Sequence, residues 1–353
     1  ILAGELLKNA EKLLDKEIHP TVIARGYRLA ATESQKILNN LATEITEKDE
    51  DILRNVAMTA ITGKGAESAK EKLSDLAVKA IKQITEKEDN KIIIDTENIK
   101  IEKKTGSGIE DSELIQGLIL DKEKVHSAMP RSIKNAKIAL IDTAIEIKNT
   151  EIEAKISITD PSKLQAFVDQ EEKILKKMVD KIIASKANVI FCQKGIDDMA
   201  QYYLAKAGIY AARRIKQSDM DKLARATNAR IVSNINDLSE KDLGSAGLVE
   251  EVKVGDEEMT YIRECKNPKA VTILIRGGTE HVLDEVERAM KDAIGDIAAA
   301  LKLGKVVAGA GAPEIEVAIQ LRNYANKLSG REQLAVLAFA DSMEIIPITL
   351  AEN

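Results

Sequence analysis

At 353 residues the chain is long enough for two or three domains, each with a core of its own. A composition of 44% hydrophobic and 31% charged residues excludes a mainly disordered polypeptide, and a net charge of −6 gives no general attraction to nucleic acid or anionic lipid. Ile1-Leu-Ala-Gly-Glu-Leu-Leu-Lys already reads as amphipathic helix, with no basic leader or cleavage site, so no secretory signal is expected. Apolar residues at Leu6, Leu7, Ala10, Leu13 and Leu14 continue that helix, and after the His19-Pro20 break a second is predicted from about Thr21 to Leu41. A further helical run, Glu67 to Ile84, follows the sharp Thr62-Gly63-Lys64-Gly65 turn. From about Leu120 to Thr272 the pattern becomes α/β, with strands such as Lys137-Ile-Ala-Leu-Ile, Asn188-Val-Ile-Phe-Cys, Arg230-Ile-Val-Ser-Asn-Ile and Met259-Thr-Tyr-Ile between helices. Long helices from about Thr279 to Leu303 and from Pro313 to Leu328 return to the bundle character of the start. The chain thus reads as nested domains, going out from one helical region and coming back. Apolar runs such as Ala270 to Ile275 are far short of a bilayer span, so no transmembrane segment and no membrane partner are expected. Both ends stop inside helical pattern and read as cut from a longer protein.

Most catalytic constellations are missing. Cys192 and Cys265 are the only cysteines, which suits a reducing cytoplasm and excludes a disulfide scaffold. The three histidines, His19, His126 and His281, stand beside no nucleophile elbow, and no zinc-type spacing occurs, so no metal site is expected within this chain. Lys64 sits in a glycine turn that lacks the first glycine and the final Ser or Thr of a Walker A loop; on spacing alone it is a solvated turn lysine. Val306-Val-Ala-Gly-Ala-Gly-Ala-Pro-Glu joins a strand to a helix through small residues, either a nucleotide-contact turn or an ordinary tight connection. Asp292, among Met290, Ala293 and Ile297, is either an inward base or a solvated helical carboxylate. From Thr159-Asp160-Pro161 a well-capped helix is predicted, with Leu164, Phe167, Val168, Ile174, Leu175, Met178 and Val179 at helical spacing. That stripe is either a core face or an exposed surface for many partners.

These pieces resemble, over essentially the whole chain, the group II chaperonins, the family of the archaeal thermosome and of relatives in the eukaryotic cytosol. The resemblance is carried by Asp160-Pro-Ser-Lys-Leu-Gln-Ala-Phe-Val-Asp-Gln-Glu-Glu, Asn188-Val-Ile-Phe-Cys-Gln-Lys-Gly-Ile-Asp-Asp, Asp219-Met-Asp-Lys-Leu-Ala-Arg-Ala-Thr, Ile275-Arg-Gly-Gly-Thr-Glu and Gly311-Ala-Pro-Glu. It implies a multidomain α and α/β subunit, with equatorial pieces at 1–48 and 307–353. Intermediate pieces would span 49–119 and 273–306, and an apical domain 120–272 would carry a helical protrusion at about 161–178.

The same resemblance implies roles. Asp292 matches the aspartate that activates water against the γ-phosphate of ATP, and Lys64 matches a loop lysine that senses that phosphate. Gly309, Ala310 and Gly311 match a nucleotide-contacting Gly-Gly-Gly whose middle glycine is here alanine, a costly change if that position has positive φ. Leu164, Phe167, Val168, Leu175 and Met178 would belong to the built-in lid and its contacts with substrate. ATP and Mg2+ are the implied cofactors. Unfolded client proteins, and copies of the chain or paralogous subunits in two stacked eightfold rings, are the implied partners, in the cytoplasm. The family's Gly-Asp-Gly-Thr-Thr phosphate loop would precede Ile1, so the 353 residues alone are not expected to hydrolyse ATP. The rival readings are a stand-alone polypeptide-binding module, an ATPase-silent subunit suggested by Ala310, and a small-molecule enzyme on the α/β domain.

Overall fold

A computed structural model describes residues 1–88, 91–147, 161–254, 257–266 and 268–352. Thr159 and Asp160, expected to cap a helix, lie outside the described residues. The chain opens with helices α1 (Leu2–Leu14) and α2 (Pro20–Leu41), strand β1 (Thr43–Glu44), and helices α3 (Glu50–Ile61) and α4 (Lys70–Ile84). Six strands follow: β2 (Glu86–Glu88), β3 (Lys91–Ile93), β4 (Ile99–Thr105), β5 (Glu113–Ile115), β6 (Leu118–Leu120) and β7 (Ser132–Ile141). Next come α5 (Pro161–Ala184), β8 (Val189–Cys192), α6 (Asp198–Lys206), β9 (Tyr210–Ala212), α7 (Gln217–Thr227), β10 (Ile231–Val232), β11 (Gly244–Val254), β12 (Glu257–Arg263) and β13 (Val271–Gly277). The chain closes with α8 (Glu280–Leu303), β14 (Lys305–Val306), α9 (Ala312–Ala325), α10 (Glu332–Met343) and α11 (Ile345–Glu352). Two compact units result, Ile1–Lys48 with Leu303–Asn353, and Asp49–Lys302.

The first unit is helical. Pro20 starts α2 at a position where its missing N–H costs nothing, and His19 Nδ1 accepts from the Thr21 amide. Ala30 and Ile37 of α2 are buried with Val317, Leu321, Val336 and Ala340 of α9 and α10. Gly26 allows the closest approach of α2 to α10: a Cβ there would lie 2.4 Å from Ala335 Cβ. Asn9 Nδ2 donates to Ser342 Oγ at 2.8 Å, fastening α1 to α10. Thr43–Glu44 and Lys305–Val306 pair antiparallel where the chain leaves this unit and re-enters it.

Contrary to the expectation from uninterrupted apolar runs, Glu332–Glu352 is long and apolar enough by composition to cross a membrane. Ala335, Val336, Ala338, Ala340 and Ser342 of α10 are buried in the helical core, whereas α11 buries none of its residues.

The second unit contains two sheets. A small one runs β4-β13-β5, with β13 parallel to β4 and antiparallel to β5. The larger has the order β6-β12-β11-β7-β8-β9, and β10 adds to β7 in parallel. Alternate residues of its strands serve opposite faces. Ile138, Leu140, Val189 and Phe191 pack with Met220 and Leu223 of α7. Ala139, Ile141, Ile190 and Cys192 pack with Leu175, Val179 and Ile182 of α5 and Ala200 and Leu204 of α6. Arg230–Ile235, expected as one strand, pairs only over Ile231–Val232, because Asn234 caps a 3-10 turn by accepting from the Asn236 amide.

Candidate functional site

Lys64 is positioned by a loop that its own neighbours build. Thr62 ends α3 with its hydroxyl donating to the Met58 carbonyl at 2.7 Å. Gly63 takes φ +78, where a side chain would be strained, and its amide donates to Glu67 Oε2 at 2.8 Å. The Glu67 carboxyl is held below its usual range by the Lys70 ammonium and then by that amide. Gly65 lies tight against α8, since a Cβ there would fall 1.9 Å from Glu285 Oε2. The loop thus presents the Lys64 ammonium to α8, where it donates to Asp292 Oδ2.

Asp292 belongs to a helix whose inner face is buried at Leu283, Val286, Met290, Ala293, Ile294, Ile297 and Leu301. Its own carboxylate lies outside that stripe, with a side-chain exposure of 59% against 35% for Lys64. The inward alternative is therefore excluded, and Asp292 is a solvent-facing carboxylate. α8 is also fixed to β4, because Lys103 Nζ lies 2.7 Å from Asp284 and 2.6 Å from Glu287. The Asp284 and Glu287 carboxylates push the Lys103 ammonium well above its ordinary range.

Gly309, Ala310 and Gly311 form the turn between β14 and α9 in the other unit. Ala310 has φ +58 and Gly311 φ +81, so both take the left-handed conformation that only glycine adopts freely. Gly311 is the N-cap of α9, and a Cβ on it would meet Pro347 Cβ at 2.8 Å. Gly309 is open: no heavy atom of the described structure would touch an added Cβ within 4 Å. Glu314 Oε2, one turn into α9, is buried without a hydrogen-bond partner among the described residues. An open glycine turn that starts a helix fits close approach of a phosphorylated ligand. Among the described residues no group of three or more His, Cys, Asp or Glu could hold a metal ion.

The residues assigned to the protrusion divide. For Leu164, Phe167 and Val168 the structure describes backbone within α5 but no side chain. Leu175 is 3% exposed in the core beneath α5, and Met178 packs partly buried against the same core. As a contact for lid or substrate Leu175 is corrected, since it is buried against the sheet, whereas Met178 keeps part of its surface exposed. Sequence reasoning missed two exposed apolar residues on one face of the next helix: Met199 and Tyr202 of α6 are 42% and 49% exposed. Their spacing opposite buried Ala200 and Leu204 was the available signal.

Comparison with known proteins decides the family, because the family model for the TCP-1/cpn60 chaperonins matches residues 1–353. The chain belongs to the TCP-1/cpn60 chaperonin family. Within it the chaperonin chain is 63% identical over its whole length to a thermosome subunit of Methanopyrus kandleri and 60% identical to thermosome subunit beta of Archaeoglobus fulgidus. It covers 65% of the length of each of these relatives. The solved open-state monomer of a group II chaperonin from Methanococcoides burtonii superposes with a TM-score of 0.74 at 47% identity, covering all of this chain and 82% of that one. The chaperonin is thus of group II, and its mixed helical and α/β architecture is that of a multidomain chaperonin subunit.

Proposed function

We propose that this chain is the greater part of an ATP-dependent group II chaperonin subunit that encloses and folds non-native proteins. The observation that carries the reading is the exposed ion pair of Lys64 with Asp292, two groups from distant parts of the sequence held on a rigid helix and a built loop. ATP supplies the scissile phosphate when bound, and Mg2+ its charge compensation; no residue of this chain is assigned to the metal. Asp292 orients the attacking water and accepts its proton, and its exposure leaves room for that water. The Lys64 ammonium exchanges Asp292 for the γ-phosphate and so reports whether ATP is intact. Gly309, Ala310 and Gly311 let backbone approach the nucleotide.

The unit Ile1–Lys48 with Leu303–Asn353 is read as equatorial, the small sheet with α3, α4 and α8 as intermediate, and the large sheet with α5 to α7 as apical. These domain roles, two stacked eightfold rings of such subunits, a cytoplasmic setting and a lid formed by the first part of α5 are carried over from the resemblance to the group II chaperonins. Exposed Met199 and Tyr202 on α6 suit contact with apolar segments of unfolded clients.

The test is ATP turnover and particle mass of the full-length gene product, with and without Asp292→Ala. Turnover by a large ring that the substitution abolishes, with ATP still bound, is the expected result. A large ring without turnover in the parent protein would make this an ATPase-silent subunit, and a monomer would make it an isolated binding module.

A further inference from the structure

Lys64 is flanked by two glycines, Gly63 and Gly65, so the backbone that carries it has much freedom to lose before its ammonium can be aimed. A group that must reach first Asp292 and then a phosphate tolerates little wandering, because a misplacement of about 1 Å can lower a rate on the order of 10²-fold. Some contact has to hold the turn in one place.

Glu67 does so with both its main chain and its side chain. Its amide donates to the Lys64 carbonyl at 3.1 Å, and its Oε2 accepts from the Gly63 amide at 2.8 Å. Lys64 is thereby enclosed in a small ring that a single residue closes. The other carboxylate oxygen, Oε1, accepts from Nζ of Lys70, the first residue of α4, at 2.5 Å. α4 is in turn anchored through buried Leu73, Ala77, Ile81 and Ile84. Fixation thus runs from the core through α4 and Lys70 to Glu67, and from Glu67 to the turn. The Glu67 side chain is 48% exposed, and an ion pair so open to water adds little to stability, so what it supplies is position. Pairing with Lys70 also offsets the Glu67 charge, which leaves Asp292 as the carboxylate that holds the Lys64 ammonium.

We propose that Glu67 is a positioning residue for ATP turnover, fixing the Gly63–Gly65 turn so that the Lys64 ammonium reaches Asp292 and, in exchange, the γ-phosphate. This role rests on the ATPase reading, with Lys64 at the γ-phosphate, and extends it to a residue that acts only through Lys64.

Steady-state ATP turnover of the full-length gene product tests the role, with Glu67→Ala, Glu67→Gln, Lys64→Ala and Glu67→Ala/Lys64→Ala compared and a thermal melt run beside each. Glu67→Ala should lower kcat about tenfold or more while Tm stays within a few degrees of the parent. Glu67→Gln keeps an oxygen that accepts from the Gly63 amide, and should hold kcat within about threefold of the parent. In the Lys64→Ala background, Glu67→Ala should change kcat less than about twofold, because the group through which it acts is gone. Should Glu67→Ala fail to assemble, Glu67→Asp, which keeps the charge but shortens the reach to Gly63, carries the same expected loss. A lowered Tm with kcat unchanged would reduce Glu67 to a support for the start of α4 and overturn the proposal. So would an undiminished loss from Glu67→Ala when Lys64 is already absent. Normal turnover in Lys64→Ala, or none in the parent, would instead overturn the ATPase reading of this site, and the role of Glu67 with it.

Discussion

Lys64 and Asp292, separated by 228 positions in the chain, meet in an ion pair between the loop after α3 and the outer face of α8. Pairs this exposed contribute at most about 1 kcal/mol to stability. Lys64→Ala should therefore leave the Tm of the full-length protein within a few degrees of the parent. If the pair serves catalysis, ATP turnover should fall on the order of 10²-fold, the usual loss when a positioned donor is removed from a developing charge. A steady-state assay beside a thermal melt separates the two, and a large fall in Tm with normal turnover would assign the pair to structure.

Ala310 and Gly311 make opposite predictions from the same backbone geometry. Ala310 is held at φ +58 against its intrinsic preference, so Ala310→Gly should raise stability by about 0.5–1 kcal/mol after the greater freedom of glycine in the unfolded chain is subtracted. Gly311→Ala adds strain at φ +81 and a collision with Pro347, and should cost about 2 kcal/mol or more. Denaturant titration of both variants checks the sign and the order.

The lid reading makes a prediction whose boundary the structure sets. Leu175, Val179 and Ile182 anchor α5 in the core, so a deletion must stop before them. Removal of residues 161–173 should leave ATP turnover intact while a trapped client becomes accessible to protease. Continued protection of the client would refute the lid role of this segment.

Lys124 and Glu251 form a pair of another kind, with side chains 8% and 2% exposed at 2.7 Å. Lys124→Met leaves a buried carboxylate whose only remaining partner among the described residues is the backbone amide of residue 124, and should cost about 3 kcal/mol. The double substitution Lys124→Met/Glu251→Leu should recover most of that loss in urea titrations.

Burial pushes the Cys192 thiol up to about 11 and the Cys265 thiol up to about 12. Both should resist iodoacetamide in the native protein at pH 8 and react fully once it is unfolded, since the thiolate is the nucleophile. Their raised values favour the folded state fully below the ordinary thiol pKa of about 9. That contribution is lost as pH rises from there through about 11 to 12, so stability should decline over this alkaline window.

Legibility in the sequence followed the range of the forces involved. α2, α4 and α8 were readable because capping, proline position and 3.6-residue periodicity are local. The stripe from Leu164 to Val179 was readable as amphipathic, but periodicity does not say where a helix passes from open surface onto a sheet, so the burial of Leu175 was not legible. Asp292 could not be turned outward from its apolar neighbours alone, because its partner Lys64 comes from a loop far away in sequence.

The antiparallel pairing of Thr43–Glu44 with Lys305–Val306 has a consequence for biosynthesis. α2 needs α9 and α10 for its buried face, yet the ribosome delivers those helices only after the whole of Asp49–Lys302. The inserted unit can finish folding while Ile23, Ala30 and Ile37 still lack their partners. A nascent chain of this kind therefore carries an unsatisfied apolar helix for as long as Asp49–Lys302 is being synthesised, and exposes it to other chaperones in that interval.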